Sequence, residues 1–477
     1  MNCNLIVQFK YATMHYLLPR KSNLGWFVAS FVLIFSACNP DDSIDIENIY
    51  PDAESLRKQI ATYAPNGNLN YFIFPASTDY SSFPNTDPAN PITKEKVELG
   101  RLLFFETALG LDPANNTQTF SQTYSCATCH IPEFGFTPGN IQGIADGGLD
   151  YGLDRTLLFG YPNLEADVQG HRPLSMVNVS YITNGMWNGM FGATHMNINT
   201  QDVWETNLFA PATAVNAEGL MGLEAQNIEG MGLHRLVVND YILNDLGYQE
   251  LFDAAFEEGE VNEHPERLFS FAVSAYLRSI YANEAPFQDF LKGDDTALSQ
   301  EERLGASLFF DVSKTKCVSC HNLPSLGGQR FAKIGTKDMH DANASAVPTV
   351  FSAERNLGRG GFTMNESDNY KFKVPQLYNT ADYGSFFHGS SKYSLNEVLE
   401  YKIQAKSENS NVPDSEMEIR PITDLTDLER DALLEFLTNS LRDKNLERYM
   451  PESLPSGNCF PNNDLATIGN TNNNRCD

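Results

Sequence analysis

The chain has 477 residues, enough for two or three domains with proper cores, and its 42% hydrophobic and 11% aromatic content is that of a globular protein. A formal net charge of −28 argues against a nucleic-acid partner, whose phosphates need a basic surface. The same charge suits a protein that meets cationic or small neutral partners.

Lys10, Arg20 and Lys21 precede the apolar run WFVASFVLIFSA (26–37), and no acid appears before Asp41. The run is too short to span a bilayer and suits the apolar region of a secretory signal, so 1–37 reads as a signal peptide. It stops at FSAC (35–38), which resembles the lipobox of bacterial lipoproteins, in which the Cys is lipidated and becomes residue one after cleavage. Cys38 is therefore the expected lipid anchor and the expected membrane contact. The implied location is the periplasm or cell surface of a Gram-negative bacterium, anchored to the outer membrane.

Residues 38–90 open acidic and turn-rich and contain one helical stretch, AESLRKQIATYA (53–64). They read as a tether followed by a docking segment. After them comes an internal duplication. LGRLLFFE (99–106) and LGASLFFD (304–311) share the pattern Leu-Gly-x-x-Leu-Phe-Phe-acid, that of an amphipathic helix packed against a large apolar ligand. RPLSMVNVSYITNGMWNG (172–189) runs nine positions from Asn178 to Trp187, and VPQLYNTADYGSFFHG (374–389) runs nine from Asn379 to His388. Trp187 and His388 thus hold corresponding places in two tandem modules. The stretch at 269–291 reads as helical, with its Ala-Pro-Phe marking the crossover. Thr426 and Glu429 form a capping box for a last helix whose Leu433, Phe436, Leu437 and Leu441 share one face. With no long alternating runs, the expected fold is mainly α.

Half of the eight cysteines lie in two copies of Cys-x-x-Cys-His: Cys126, Cys129, His130 and Cys317, Cys320, His321. A c-type haem needs two thiols to add across its vinyl groups and an imidazole beneath its iron, and this pattern supplies all three. A shared zinc site would draw on paired motifs at closer spacing, whereas these histidines are 191 residues apart. A thioredoxin-like thiol pair needs only one copy, between a strand and a helix. The sequence therefore predicts two tandem cytochrome c-like domains, each with one covalently bound c-type haem. Cys459 and Cys476 remain, in an Asn-rich tail (451–477), and export suggests a disulfide between them.

With ELGRLLFFE, SCATCHIPEFGF, the long run SAYLRSIYANEAPFQDFLKGDDTALSQEERLGASLFFDVSKTKCVSCH and FKVPQLYN…FFHG…SLNEVLEY in this order, the chain resembles the bacterial di-haem cytochrome c peroxidases, including the MauG-type enzymes, over roughly 91–445. The resemblance implies a peroxidatic domain at 91–283 and an electron-transfer domain at 284–450. It implies reduction of hydrogen peroxide to water by electrons from a small periplasmic donor, a cytochrome c or a cupredoxin. These enter at the C-terminal haem and pass by way of Trp187, the match of the family's inter-haem Trp, to the N-terminal haem. The family's distal acid, which passes protons to the leaving oxygen, finds its counterpart in Glu224, with Glu218 as the other acid in range.

Several positions depart from the family pattern. Between Ile131 and Gly170 there is no His to close the first haem, and His171 is off register, so that haem is expected to be open. The sixth-ligand position of the second haem falls on Lys402, with Tyr401 beside it and Met417 more distant. His388 is expected between haem and solvent rather than on iron. The family's calcium positions fall on Arg172, Tyr383 and Ser385, which argues against calcium. Two other functions fit the same motifs. One is a MauG-like oxidase that modifies Trp or Tyr of a partner protein, and the other is a non-catalytic di-haem electron-transfer lipoprotein.

Overall fold

The computed structural model describes residues 49–111, 114, 121–207, 211–343, 347 and 353–468. The expected signal peptide, the Cys38 anchor and Cys476 lie outside them. The expectation of a mainly α fold holds: helices and short helical turns carry the chain. Among the described residues the strands form two short antiparallel pairs, Gly148–Leu149 with Thr156–Leu157 and Phe331–Lys333 with Lys371–Lys373. Among the described residues no helix is long and apolar enough to cross a membrane.

Two helix pairs repeat one another. The first pair is α1 (Lys94–Phe105) against α2 (Pro265–Arg278); the second is α3 (Gln300–Phe309) against α4 (Asp427–Glu435). Each begins at a side-chain cap or an early proline. Thr93 caps α1, Pro265 opens α2, and Ser299–Glu302 and Thr426–Glu429 form capping boxes on α3 and α4, the second as expected from sequence. Within each pair the glycine of the repeated Leu-Gly motif faces the partner's backbone. A Cβ on Gly100 would stand 2.9 Å from the Cβ of Tyr276, and one on Gly305 would stand 2.8 Å from that of Phe436. Glycine is required at both because a side chain there would hold the helices apart.

The helix expected over 269–291 stops at Arg278, and a second starts at Pro286 and ends at Leu291. The last predicted helix also ends early, at Glu435; Phe436–Ser440 continue as a π turn, with Leu433, Phe436 and Leu441 all buried. One continuous apolar core runs through both repeats, from Leu99 and Phe104 to Phe309 and Leu433. The described residues belong to a single compact unit.

Two segments outside the duplication complete this core. From the N-terminal segment, Arg57 pairs with Asp295 at 2.5 Å, Gln59 donates to the Ser307 carbonyl at 2.9 Å, and Asn85 donates to the Ser180 carbonyl at 2.8 Å. Phe74 packs on Tyr378 of the second repeat and Tyr281 of the crossover, at 4.8 and 5.9 Å between ring centroids. The C-terminal tail returns to the first repeat. There the Pro461 carbonyl accepts from the hydroxyls of Ser125 and Thr128, each at 3.1 Å, and Asp464 forms a buried ion pair with Arg155 at 3.4 Å.

Candidate functional site

Each Cys-x-x-Cys-His motif forms a short 3-10 turn, Cys126–Thr128 and Cys317–Ser319, that brings the histidine back over the first cysteine. The amide of His130 donates to the Cys126 carbonyl at 3.2 Å and that of His321 to the Cys317 carbonyl at 3.0 Å. His130 Nδ1 lies 3.0 Å from the Phe136 carbonyl oxygen, and His321 Nδ1 lies 2.7 Å from that of Leu326. A carbonyl only accepts, so in both rings Nδ1 carries the proton and Nε2 is left with its lone pair. Burial pushes both imidazoles down to about 4, so they are neutral at ordinary pH. All four motif cysteines are free thiols, and burial raises Cys126 and Cys129 to about 12. The rings of Phe104 and Phe309, from the repeated helices, sit 6.4 and 6.3 Å from His130 and His321. Two free thiols, a neutral imidazole with a fixed tautomer and an aromatic wall, given twice, fit covalent haem at both places.

The second matching stretch lies where the repeats meet. Asn178 and Asn379 both adopt a left-handed conformation at φ 57°, and seven residues on, the pairings Gly185–Phe191 and Phe386–Lys392 close equivalent loops. These loops carry Trp187 and His388, as the register predicts, with ring centroids 6.3 Å apart. The contact is reciprocal: the Lys373 amide donates to the Trp187 carbonyl at 2.7 Å, and the Arg172 amide to the His388 carbonyl at 2.8 Å. Trp187 is buried, and its Nε1 donates to the Arg172 carbonyl at 2.6 Å.

His388 is buried rather than turned toward solvent. It stacks on Phe372 at 3.7 Å, its Nε2 lies 2.9 Å from Asp338 Oδ1, and its Nδ1 lies 3.3 Å from Thr336 Oγ1. Both ring nitrogens are thus engaged inside the inter-repeat wall. His171 joins that wall 5.3 Å from His388, and burial holds its ring well below the usual range.

Glu224 does not fit the distal-acid role expected of it. It is fully buried on the helix Gly222–Leu233, where Arg278 grips both carboxylate oxygens at 2.5 and 2.8 Å and Asn90 donates to one at 3.0 Å. Burial raises its carboxyl, but the Arg278 charge and hydrogen bonds more than offset this and keep it below the usual range. A carboxylate so engaged clamps two helices and has no proton to deliver. Glu218 pairs with Arg267 at 2.9 Å at the surface.

The candidates for sixth ligand separate cleanly. The Tyr401 hydroxyl donates to the Ile334 carbonyl at 2.6 Å, and its ring packs with Val412 and Met417 in a small satellite core, so both Tyr401 and Met417 are committed elsewhere. Lys402, next along the helix Leu395–Gln404, faces the Phe387 ring at 5.6 Å. Among the described residues no hydrogen-bond or ion-pair partner meets its amine. Burial pushes it down to about 8, against the opposing charges of Cys320 and Cys317.

At the expected calcium positions, Arg172 lays its guanidinium 5.7 Å from Trp187 and 5.1 Å from Tyr383, and the Ser385 hydroxyl donates to Ser390 at 3.0 Å. Among the described residues no group of three or more His, Cys, Asp or Glu could hold a metal ion. Cys459 is disulfide-bonded, and its expected partner Cys476 is outside the described residues. Sequence reading missed Lys373, a second buried cation in this wall, although the Asn178–Asn379 register of 201 residues sets it opposite Arg172.

Comparison with known proteins agrees with this picture. A family profile described as di-haem cytochrome c peroxidase matches residues 94–296. The methylamine utilization protein MauG of Methylorubrum extorquens is 26% identical over 351 residues, 73% of this chain and 79% of that protein. The cytochrome-c peroxidase IdrP2 of a Pseudomonas species is 25% identical over 375 residues, covering 75% and 84%. Among solved structures, a MauG-like protein associated with microbial copper homeostasis aligns at a TM-score of 0.52 and 22% identity, over 77% of this chain and 95% of that one. The duplicated thiol–imidazole turns and these matches lead to one conclusion: residues 94–296 carry the di-haem cytochrome c peroxidase family's profile, and the chain is similar to oxidoreductases of that type over about three quarters of its length.

Proposed function

We propose that this protein is an exported, lipid-anchored di-haem peroxidase. It would reduce hydrogen peroxide with electrons from a small periplasmic donor protein, with 91–283 and 284–450 as its two haem modules. The observation that carries the reading is the position of Trp187, buried between the repeats and joined by its carbonyl to one and by its indole N–H to the other. Haem at the two motifs, when bound, supplies electron storage and an iron site for peroxide. His130 and His321 would hold the irons through Nε2, the nitrogen left free by their Nδ1 contacts to the carbonyls of Phe136 and Leu326. Trp187 would couple the two modules, and the loop after the first motif, with no His from Ile131 to Gly170, would offer that site no imidazole of its own.

Lys402 is assigned as the sixth ligand of the second site, since its amine is otherwise unpartnered and Tyr401 is not available. Lysine in place of the thioether usual in peroxidases also favours a second reading, a MauG-like oxidase acting on Trp or Tyr of a partner protein. Visible and EPR spectra of the purified protein, taken at rest and after peroxide, test the oxidative reading. One high-spin and one low-spin haem that change on peroxide support it, and two low-spin haems inert to peroxide leave only electron transfer. Steady-state turnover with a reduced small cytochrome separates the two enzymes, because rapid turnover disfavours the protein-modifying role.

A further inference from the structure

Arg172 and Lys373 occupy equivalent places in the duplication, six residues before Asn178 and Asn379. Both are buried, 4% and 5% exposed. Among the described residues neither meets a carboxylate. Arg172 donates Nε to the Phe387 carbonyl at 3.2 Å and Nη1 to the Pro173 carbonyl at 3.4 Å, and otherwise lies on aromatic rings. The Lys373 amine has only the Phe331 ring, at 5.2 Å. Its neighbour Arg359, also buried, spends its donors on the carbonyls of Asn188, Gly189 and Met196 and on the Asn197 side chain. The chain has 61 acidic residues against 33 basic ones, so carboxylates were not scarce. A buried cation without an anion is strongly disfavoured, and burial lowers the Lys373 amine to about 7, so an anion beside each of these duplicated positions would stabilise the charged form that the polypeptide alone leaves unbalanced.

The neighbouring residues indicate its source. A Cβ on Gly143 would stand 3.0 Å from both the Cys129 sulfur and Pro173 Cγ, so the residue after Arg172 packs beside the first haem motif. A Cβ on Gly328 would stand 2.4 Å from the Cys320 carbonyl oxygen and 3.2 Å from Val374 Cβ, so the residue after Lys373 packs beside the second. Resting on the two-haem reading above, we infer that Arg172 and Lys373 are receptors for haem propionate carboxylates, a cation for each prosthetic group on the wall between the repeats. The two side chains thus balance charge that the prosthetic groups bring in.

The test uses the holoprotein with both haems and the variants Arg172→Met and Lys373→Met, with Arg172→Lys and Lys373→Arg as charge-conserving partners. Midpoint potentials and the resonance Raman propionate bending band are the readouts. Each Met variant should move one haem to a more negative potential, because losing a nearby cation favours the more positive, oxidised iron, and should shift that haem's propionate band. The charge-conserving variants should restore most of the potential while leaving the band displaced. Unmoved bands in both Met variants overturn the inference, whether or not the potentials drift, since a drift alone is a long-range charge effect. Where a Met variant loads no haem, unmoved bands in both charge-conserving variants overturn it equally. Neither readout requires turnover, so a protein inert to peroxide that gives these shifts removes the peroxidase reading and keeps this one.

Discussion

Gly305 lies so close to Ala432 that a Cβ added to it would stand 1.9 Å from the Ala432 carbonyl oxygen, and Gly100 has the same relation to Ala272. The obstacle in both is backbone, which cannot rotate away. Gly100→Ala or Gly305→Ala must therefore part the helices, at a cost of about 1–3 kcal/mol or more. Denaturant unfolding of each variant should give a lower midpoint.

Trp187→Phe keeps an aromatic ring in the wall but removes the N–H that reaches the Arg172 carbonyl. Leaving that acceptor unpaired should cost about 1–3 kcal/mol of stability. Both haems should stay bound, while electron transfer between the modules slows. Stopped-flow reduction of the first haem checks this, and an unchanged rate would remove Trp187 from the path.

Glu224→Gln is expected to act on stability rather than on peroxide chemistry. It strands the Arg278 guanidinium in the core, and breaking such a pair costs about 3–5 kcal/mol. Because the folded carboxyl sits below its ordinary 4.5, the pair's contribution is present above that value and is lost as pH falls through the lower folded one. Acid titration of stability should show this dependence in the native protein and a flatter one in the variant.

Lys402→Met should exchange a nitrogen for a sulfur ligand at the second iron, and Tyr401→Phe should leave that iron untouched. The near-infrared charge-transfer band and the low-spin EPR g values report the change directly. Identical spectra for Lys402→Met and the parent protein would show that the amine is not on iron.

Calcium chelation should alter neither the spectra nor the activity, because Arg172 brings a positive charge to the place where a cation would need an oxygen ligand. Spectra recorded before and after exhaustive chelation decide the point.

The readable parts of this sequence were those written twice. Equal spacing from Asn178 to Trp187 and from Asn379 to His388 located the wall between the repeats, and the paired Leu-Gly-x-x-Leu-Phe-Phe segments located the crossing helices. What occurs once was opaque. Nothing near Glu224 announces Arg278, 54 residues away, as its partner, so a buried ion pair read as a free acid. Tyr401 and Lys402 are adjacent in sequence, yet only burial and the Ile334 carbonyl tell them apart. The Asn-rich tail looked like an appendage because its reason for being there, the hydroxyls of Ser125 and Thr128, lies more than 300 residues earlier.

The crossed amide bonds from Lys373 to Trp187 and from Arg172 to His388 also bear on timing. Units joined by a linker alone drift apart and together, and each such excursion gates what passes between them. Here neither half can swing without rupturing both bonds and the continuous core beneath them. On the proposed electron path, the tempo of internal exchange would then be governed by the difference in potential across a constant gap, and encounter would matter only where an outside partner must first arrive.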